Sequence, residues 1–324
     1  MSLMSKLLSL AVVTTLTISA GTDEDDVKSY VKHFMVQNKQ VKVTEVDIIS
    51  KKSLDEPKGW EVFFLNIHAN VKKSPTILDK VTVPETIFVK DGYVVPTLIN
   101  METGEDLKTV LKPEVKENIY NDAHLLIGNK NAKHKLVVFS DPMCPFCQTK
   151  VPEIYNAVKD NPEIFALYYY HFPLLRIHPV SDILTRSMVV EQKRGHKAKI
   201  MDFYKLKVDA REVNATKVLG ELKKQFNITI TEEQINEEKI SEEIIHDKAM
   251  ATQSMVSGTP TLYLDGKWDP SRNKYKKLLP KSYNDKKSDS KKADDKKWTK
   301  SIIDSILEFF DELINKIKSI FWTK

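Results

Sequence analysis

Residues 135–155, KLVVFSDPMCPFCQTKVPEIY, hold both cysteines of the chain, Cys144 and Cys147, between an apolar run and a helical pattern. The run followed by a helix start reads as strand, turn and helix, with two thiols three residues apart at the junction. Unpaired amides at a helix N-terminus favour negative charge, so a cysteine there ionises more readily than a free one. Pro145 suits the first helical position, where its fixed φ helps and its missing N–H costs nothing. That puts Cys144 at or beside the N-cap and Cys147 one turn inward, the first thiol exposed and the second partly buried. Pro152 should bend the helix, since it removes an interior hydrogen bond. A redox couple is the expectation. A zinc site needs four ligands, of which a lone C-x-x-C supplies half. Two inert core cysteines or a structural bridge are the other readings, and a bridge closing so short a loop would constrain the unfolded chain little.

The chain has 324 residues, room for about two domains, each able to bury its own core. Its 50 Lys and Arg against 45 Asp and Glu leave a formal charge of +5, spread along the sequence, so nucleic acid is not an expected partner. Two cysteines fit a cytosolic protein or an exported one with a single catalytic pair. The N-terminus, MSLMSKLLSLAVVTTLTISAGTDEDD, decides between them: Lys6, an apolar stretch from Leu7 to Ile18 and small residues at Ser19, Ala20 and Gly21 form a secretory layout. Residues 1–20 are therefore expected to be a signal peptide cleaved after Ala20, and the protein to be exported.

Beyond the signal, 22–104 reads as a small α+β domain. Val27 to Gln37 is a short helix, and VKVTEVDII (41–49), WEVFFLNIHANV (60–71), ETIFVKDG (85–92) and YVVPTLINM (93–101) are strands, with Asp91-Gly92 as a hairpin signal. Residues 105–123, broken by Pro113, suit a linker. A second domain is expected over 124–280. LLIGN and KLVVFSD are buried strands, the cysteine helix follows, FALYYYHF (165–172) is the next strand, and a helical insertion runs over about 179–250, broken near Arg194-Gly195 and Asn227 to Thr231. TPTLYLDGK then gives two short strands across Asp265-Gly266, and Ser271 to Leu279 a last short helix.

This order is that of an α/β, thioredoxin-like domain with extra helices inserted in its middle. The segments FSDPMCPFC, YYYHFPLLRIHP and GTPTLYLDGK together resemble the Dsb family of periplasmic thiol:disulfide oxidoreductases, most closely its DsbC and DsbG branch. WEVFFLNI, IFVKDGYVVP and METGEDL are similar to that branch's dimerisation domain, which implies that 22–104 forms a homodimer. The resemblance implies Cys144 as nucleophile, Cys147 as resolving thiol, Pro145 and Phe146 as the dipeptide that tunes the pair, and Thr259 with a cis Pro260 as substrate-binding residues. The place of Cys144 at the helix N-terminus, with Cys147 one turn inward, gives the same cysteine assignment. A trans proline opening a strand is the plainer reading of Pro260 alone. With no histidine between the cysteines, Cys144 should ionise below a free thiol but less than in the strongest oxidants. Asp141 is either a charge opposing the thiolate or a simple cap, and His171 and His178 read as structural.

The expected activity is disulfide isomerisation or reduction on secreted proteins, in the periplasm, with a membrane redox partner and neither cofactor nor metal. A net dithiol oxidase is the alternative on the same scaffold, and a chaperone-like binding protein with incidental cysteines is the alternative from another class. The C-terminal tail departs from the family pattern. Residues 281–297, KSYNDKKSDSKKADDKK, should be a disordered linker, and 298–324 a strongly amphipathic helix with Ile303, Leu307, Phe310, Ile314, Ile317 and Phe321 among those on its apolar side. Docking on its own domain, contact with a membrane surface and pairing with a helical partner are its three readings.

Overall fold

The computed structural model describes residues 22–74, 78–281 and Tyr283. The signal segment expected over 1–20, nearly all of the linker expected over 281–297 and the helix expected over 298–324 lie outside the described residues. The chain divides into two compact units, one of residues up to Pro113 with Thr252–Met255, the other of Glu114–Ala251 with the chain from Val256.

The first unit is a four-stranded antiparallel sheet in the order β1-β2-β3-β4, with β1 at Val41–Ser53, β2 at Glu61–Lys72, β3 at Leu78–Lys90 and β4 at Tyr93–Val95. Helix α1, Glu24–Tyr30, is capped by Asp23, whose side chain accepts from the Asp25 amide at 2.9 Å, and it runs on as a wider π-turn over Val31–Met35. Val27 and Val31 bury against Phe63, Leu65, Ile67 and Ile87 on one face of the sheet, while Val62, Phe64 and Phe88 bury on the other. Three strand ends differ from the sequence reading, and the first is that of β1, which runs on to Ser53 rather than residue 49. β3 starts at Leu78 and passes through Pro84, because β4 reaches only as far as Phe88. At Pro84 the strand has no neighbour on that side, so a missing N–H costs nothing. β4 stops at Val95, before Pro96, where a nine-residue strand was expected. Asp91 and Gly92 take φ of 50° and 78°, the left-handed pair that a two-residue hairpin turn requires.

Residues 105–123 are not a free linker. A one-turn helix α2, Leu107–Val110, is capped by Asp106 in the first unit. In the second unit Val115 donates to the Gly266 carbonyl at 2.9 Å, and Ile119 is fully buried with Val137, Tyr168 and Tyr263. The apolar residues of this short stretch are claimed by the cores, which its polar composition hid.

The second unit has a five-stranded mixed sheet in the order β5-β7-β6-β8-β9: β5 Leu125–Gly128, β6 His134–Ser140, β7 Phe165–His171, β8 Thr261–Leu264 and β9 Lys267–Trp268. β6 and β7 are parallel, joined by α3 (Pro145–Lys159), and β5, β8 and β9 pair antiparallel. A parallel pair must be covered on both faces, which is why β6 and β7 read as unbroken apolar runs. Leu136, Val138, Leu167 and Tyr169 pack with α3, and Val137, Phe139, Tyr168 and Tyr170 form the opposite core. The insertion comprises α4 (Ser181–Lys193), α5 (Ile200–Phe203), α6 (Ala215–Phe226), α7 (Glu232–Ile235) and α8 (Glu238–Gln253), with left-handed Gly195 and Asn227 at two of its breaks. The last helical segment is a 3₁₀ stretch over Lys274–Leu278, shorter than expected. α3 continues as one helix through Pro152. This is a thioredoxin-like α/β fold.

Candidate functional site

β6 and β8 are neighbours, with Phe139 opposite Thr261, so the loop leaving the end of β6 and the loop entering β8 are brought face to face. The first carries Cys144, the second Thr259 and Pro260. Cys144 is the N-cap of α3, with φ −68° and ψ 122°, and Pro145 is the first helical residue. The Thr259–Pro260 peptide is cis. The Cys144 thiol donates to the Thr259 carbonyl oxygen at 3.5 Å. Thr261 Oγ1 donates to the Gly258 carbonyl at 2.7 Å and Arg272 Nε to the Pro260 carbonyl at 2.7 Å, so the second loop is tied on both sides of the proline. Both cysteines are free thiols, and both are buried. An exposed first thiol was the expectation, yet Cys144 shows only 5 % of its surface because the Thr259–Pro260 loop covers it. Phe146, between the cysteines, is 76 % exposed and supplies an apolar rim.

The two thiols are driven apart in acidity. Cys144 is pulled down to about 5, chiefly because the Cys147 thiol can donate to its sulphur, against the cost of burial, with further help from the Cys147 amide, the Thr259 side chain and the Phe146 amide. Thr259 Oγ1 has no hydrogen-bond partner among the described residues. Cys147 goes the opposite way: burial pushes its thiol well up, and a proton given to Cys144 holds it there. One sulphur therefore carries a stable negative charge while its neighbour holds a proton.

Asp141, fully buried, is the hub of the loop. Its carboxylate accepts from the amides of Met143 and Leu174, each at 2.8 Å, from Ser181 Oγ at 2.6 Å and from His178 Nδ1 at 3.0 Å. It does cap the turn before Cys144, and it also fastens the stretch after β7 and the start of α4 to that turn. Beside the Thr259 loop, the stretch Phe172 to Ile177, which includes Arg176, and Ser257 line an open groove of about 660 Å³.

A second cluster went unread in the sequence. His124, just before β5, meets Asp247 of α8 at 2.6 Å through Nε2 and Glu243 at 3.2 Å, and His246 Nδ1 is 3.6 Å from the same Asp247 oxygen. Burial raises Asp247, but the hydrogen bonds from His124 and His246 outweigh it and hold the carboxyl below its usual range. The only signal was the spacing of Glu243, His246 and Asp247, which shares one helix face, and it lacked its distant partner His124.

Residues 120–279 match the model of the family described as Thioredoxin. No curated protein sequence matches the chain. Among solved structures, a thioredoxin-like oxidoreductase from Silicibacter pomeroyi DSS-3 is 22 % identical over 46 % of this chain and 88 % of its own, with a TM-score of 0.38. Oxidised BdbD from Bacillus subtilis is 14 % identical over 52 % of this chain and 93 % of its own, with a TM-score of 0.41. Proteus mirabilis ScsC in a compact conformation is 20 % identical over 48 % of this chain and 75 % of its own, with a TM-score of 0.39. Identities and scores this low carry no argument about activity. The stretch that matches the thioredoxin family is the one that holds the parallel strand pair, the cysteine helix and the cis-proline loop, a thioredoxin-like domain within a longer chain.

Proposed function

We propose that this chain is a thiol:disulfide oxidoreductase acting on protein substrates, with Cys144 as nucleophile and Cys147 as resolving thiol. The observation that carries the reading is the split in acidity at the α3 N-terminus: a thiolate at Cys144 and a proton-holding, buried thiol at Cys147. The Cys144 thiolate attacks one sulphur of a substrate disulfide and expels the other as a thiolate, giving a mixed disulfide. Cys147 then loses its proton and attacks Cys144 Sγ, releasing the second substrate thiol. The substrate gains two electrons and the Cys144–Cys147 disulfide is left behind. When a substrate thiol attacks the mixed disulfide instead, the result is isomerisation with no net electron transfer. Thr259 and Pro260 present the loop against which an extended substrate lies, and the neighbouring groove, largely apolar but with Arg176 in its lining, accepts its side chains.

Isomerase or reductase is the favoured direction, with the DsbC and DsbG branch as the favoured relatives, a homodimer formed through the N-terminal unit, and export to the periplasm with a membrane redox partner. The lowered pKa of Cys144, set chiefly by the Cys147 thiol, supports it as the attacking thiol in either direction. Insulin reduction is the test. Wild type should precipitate insulin chains, Cys144→Ser should not, and Cys147→Ser should accumulate mixed disulfides. Activity in Cys144→Ser equal to wild type would leave a binding role. Thiol trapping in cells sets the direction, since a mostly reduced pair means isomerase or reductase and a mostly oxidised pair means oxidase.

A further inference from the structure

We propose that His124, His246 and Asp247, with Glu243 as fourth donor, form a binding site for a divalent transition metal of the zinc class, separate from the cysteine pair. One donor atom from each of the first three residues lies within 4.8 Å of the others. A tetrahedral zinc ion with bonds of about 2.0–2.2 Å separates its ligand atoms by roughly 3.4 Å. The spacings of 3.2 Å from His124 Nε2 to Glu243 Oε1 and 3.6 Å from His246 Nδ1 to Asp247 Oδ1 are already on that scale. Of these three spacings, the 2.6 Å approach of His124 Nε2 to Asp247 Oδ1 has to widen. That contact is the length of a hydrogen bond, so the metal takes the place of one proton, which leaves to solvent.

The surroundings are arranged as a ligand's are. His124 Nδ1 faces Asn121 Oδ1 at 2.7 Å, and Asn121 Nδ2 is itself turned to Tyr170 Oη at 3.1 Å, which fixes the amide so that its oxygen accepts from the imidazole. The Nδ1 proton is thereby held, and the Nε2 lone pair is aimed at the carboxylates, the outer hydrogen bond that metal-binding imidazoles have. The ring lies flat on Tyr170, with centroids 4.0 Å apart. The other oxygen of Asp247 accepts from the His171 amide at 2.8 Å, and the other oxygen of Glu243 pairs with Lys193 at 3.0 Å, leaving one oxygen of each toward His124. Glu243, His246 and Asp247 stand at i, i+3 and i+4 on α8, so a rigid helix turn supplies three of the four donors.

An independent observation points the same way. His124, Glu243 and Asp247 open on a cavity of about 170 Å³ that His171 also lines, together with Lys193 and Lys197, whose ammonium groups are engaged by Glu243 and by the Leu125 carbonyl. His171 is 1 % exposed and its Nδ1 has no hydrogen-bond partner among the described residues, while its Nε2 is occupied by Gln192 Oε1 at 2.9 Å. His171 thus brings a buried imidazole with one open nitrogen to the cavity that His124, Glu243 and Asp247 share. The donor chemistry selects the ion: imidazole with carboxylate suits zinc, the site lacks the soft thiolates of copper(I), and it has too few oxygens for calcium or magnesium.

Zinc chloride titrated into the metal-stripped full chain carrying Cys144→Ser and Cys147→Ser tests this, since those changes remove the thiolates that would otherwise compete. One equivalent is expected to bind, competing with a chromogenic chelator, and to raise the melting temperature. His246→Gln, a half-exposed position that leaves the core intact, should weaken binding by about tenfold or more, and Asn121→Leu should weaken it by roughly 10- to 100-fold. Cobalt in place of zinc should give the intense visible bands of a tetrahedral ion. Failure of the folded double-serine chain to bind zinc, or binding that His246→Gln leaves unchanged, overturns the proposal. Neither outcome touches the cysteine chemistry.

Discussion

The hydroxyl of Ser140, the last residue of β6, accepts from the Tyr204 hydroxyl at 2.7 Å and is the side chain that favours the Cys147 thiolate. Tyr204 is in turn 2.7 Å from Tyr169 Oη. Burial pushes both tyrosines well above their ordinary range, so they remain donors. The resolving sulphur thus sits at the end of a buried row of hydroxyls. Ser140→Ala should slow release of the mixed disulfide by about tenfold, the loss of one hydrogen bond to a developing charge, ~1.4 kcal/mol. The rate of first attack, measured by alkylation of Cys144, should not change. An equal fall in both rates would mean that Ser140 is only structural.

Asp141→Asn should destabilise the protein by about 3 kcal/mol, because it replaces a carboxylate that satisfies four donors in the interior. Urea denaturation monitored by tryptophan fluorescence reads this as a lower midpoint at unchanged slope. A loss below ~1 kcal/mol would show that water replaces the carboxylate easily.

The acidity of Cys144 has a sign that stability must follow. Between about 5 and the free thiol value of roughly 8.5, the folded reduced protein has lost a proton that the unfolded chain keeps. Stability of the reduced form should therefore rise with pH across this window, and the gain is lost as pH falls through 5. Cys144→Ser should abolish that slope. Thiolate absorbance at 240 nm gives the same midpoint directly, and alkylation of Cys144 should level off above about pH 6 and drop roughly tenfold per unit below 5. A midpoint at or above the free value removes the activation argument.

Gly128 stands at φ +94°, where an added Cβ would lie 2.2 Å from the Phe165 carbonyl oxygen and 2.9 Å from Val158. Both neighbours belong to the core under α3, so neither yields cheaply. Gly128→Ala should cost more than ~2 kcal/mol, read from the urea midpoint, while Gly195→Ala, which meets only open space, should cost less although its φ is also positive.

The strand and helix that carry the cysteines were legible because each has one strong local signal: an unbroken apolar run for β6, and Pro145 at the first turn of α3. Asp91-Gly92 announced its hairpin for the same reason. What escaped reading depended on distant partners. The first half of β3, from Leu78 through Pro84, was missed because the strand was read only from Glu85, and the short reach of β4 is what lets Pro84 sit in it. Ile119 looked like linker until Val137 and Tyr168 closed over it. Cys144 looked exposed because nothing near it in sequence covers it, whereas the loop that does is more than a hundred residues away. His124 and Asp247 are separated by 123 positions, and no local pattern joins them.

Cys144 offers 5 % of its surface to the outside, and Phe146 stands proud beside it. Attack on a disulfide needs the three sulphurs nearly in line, so the partner has to bring its own sulphur down into a recess bounded by the Thr259 carbonyl. A bridge held in a stiff domain cannot bend that far, while one on a slack stretch of chain can. Under the exchange chemistry proposed above, such a recess would sort partners by mechanical compliance, without reading their sequences.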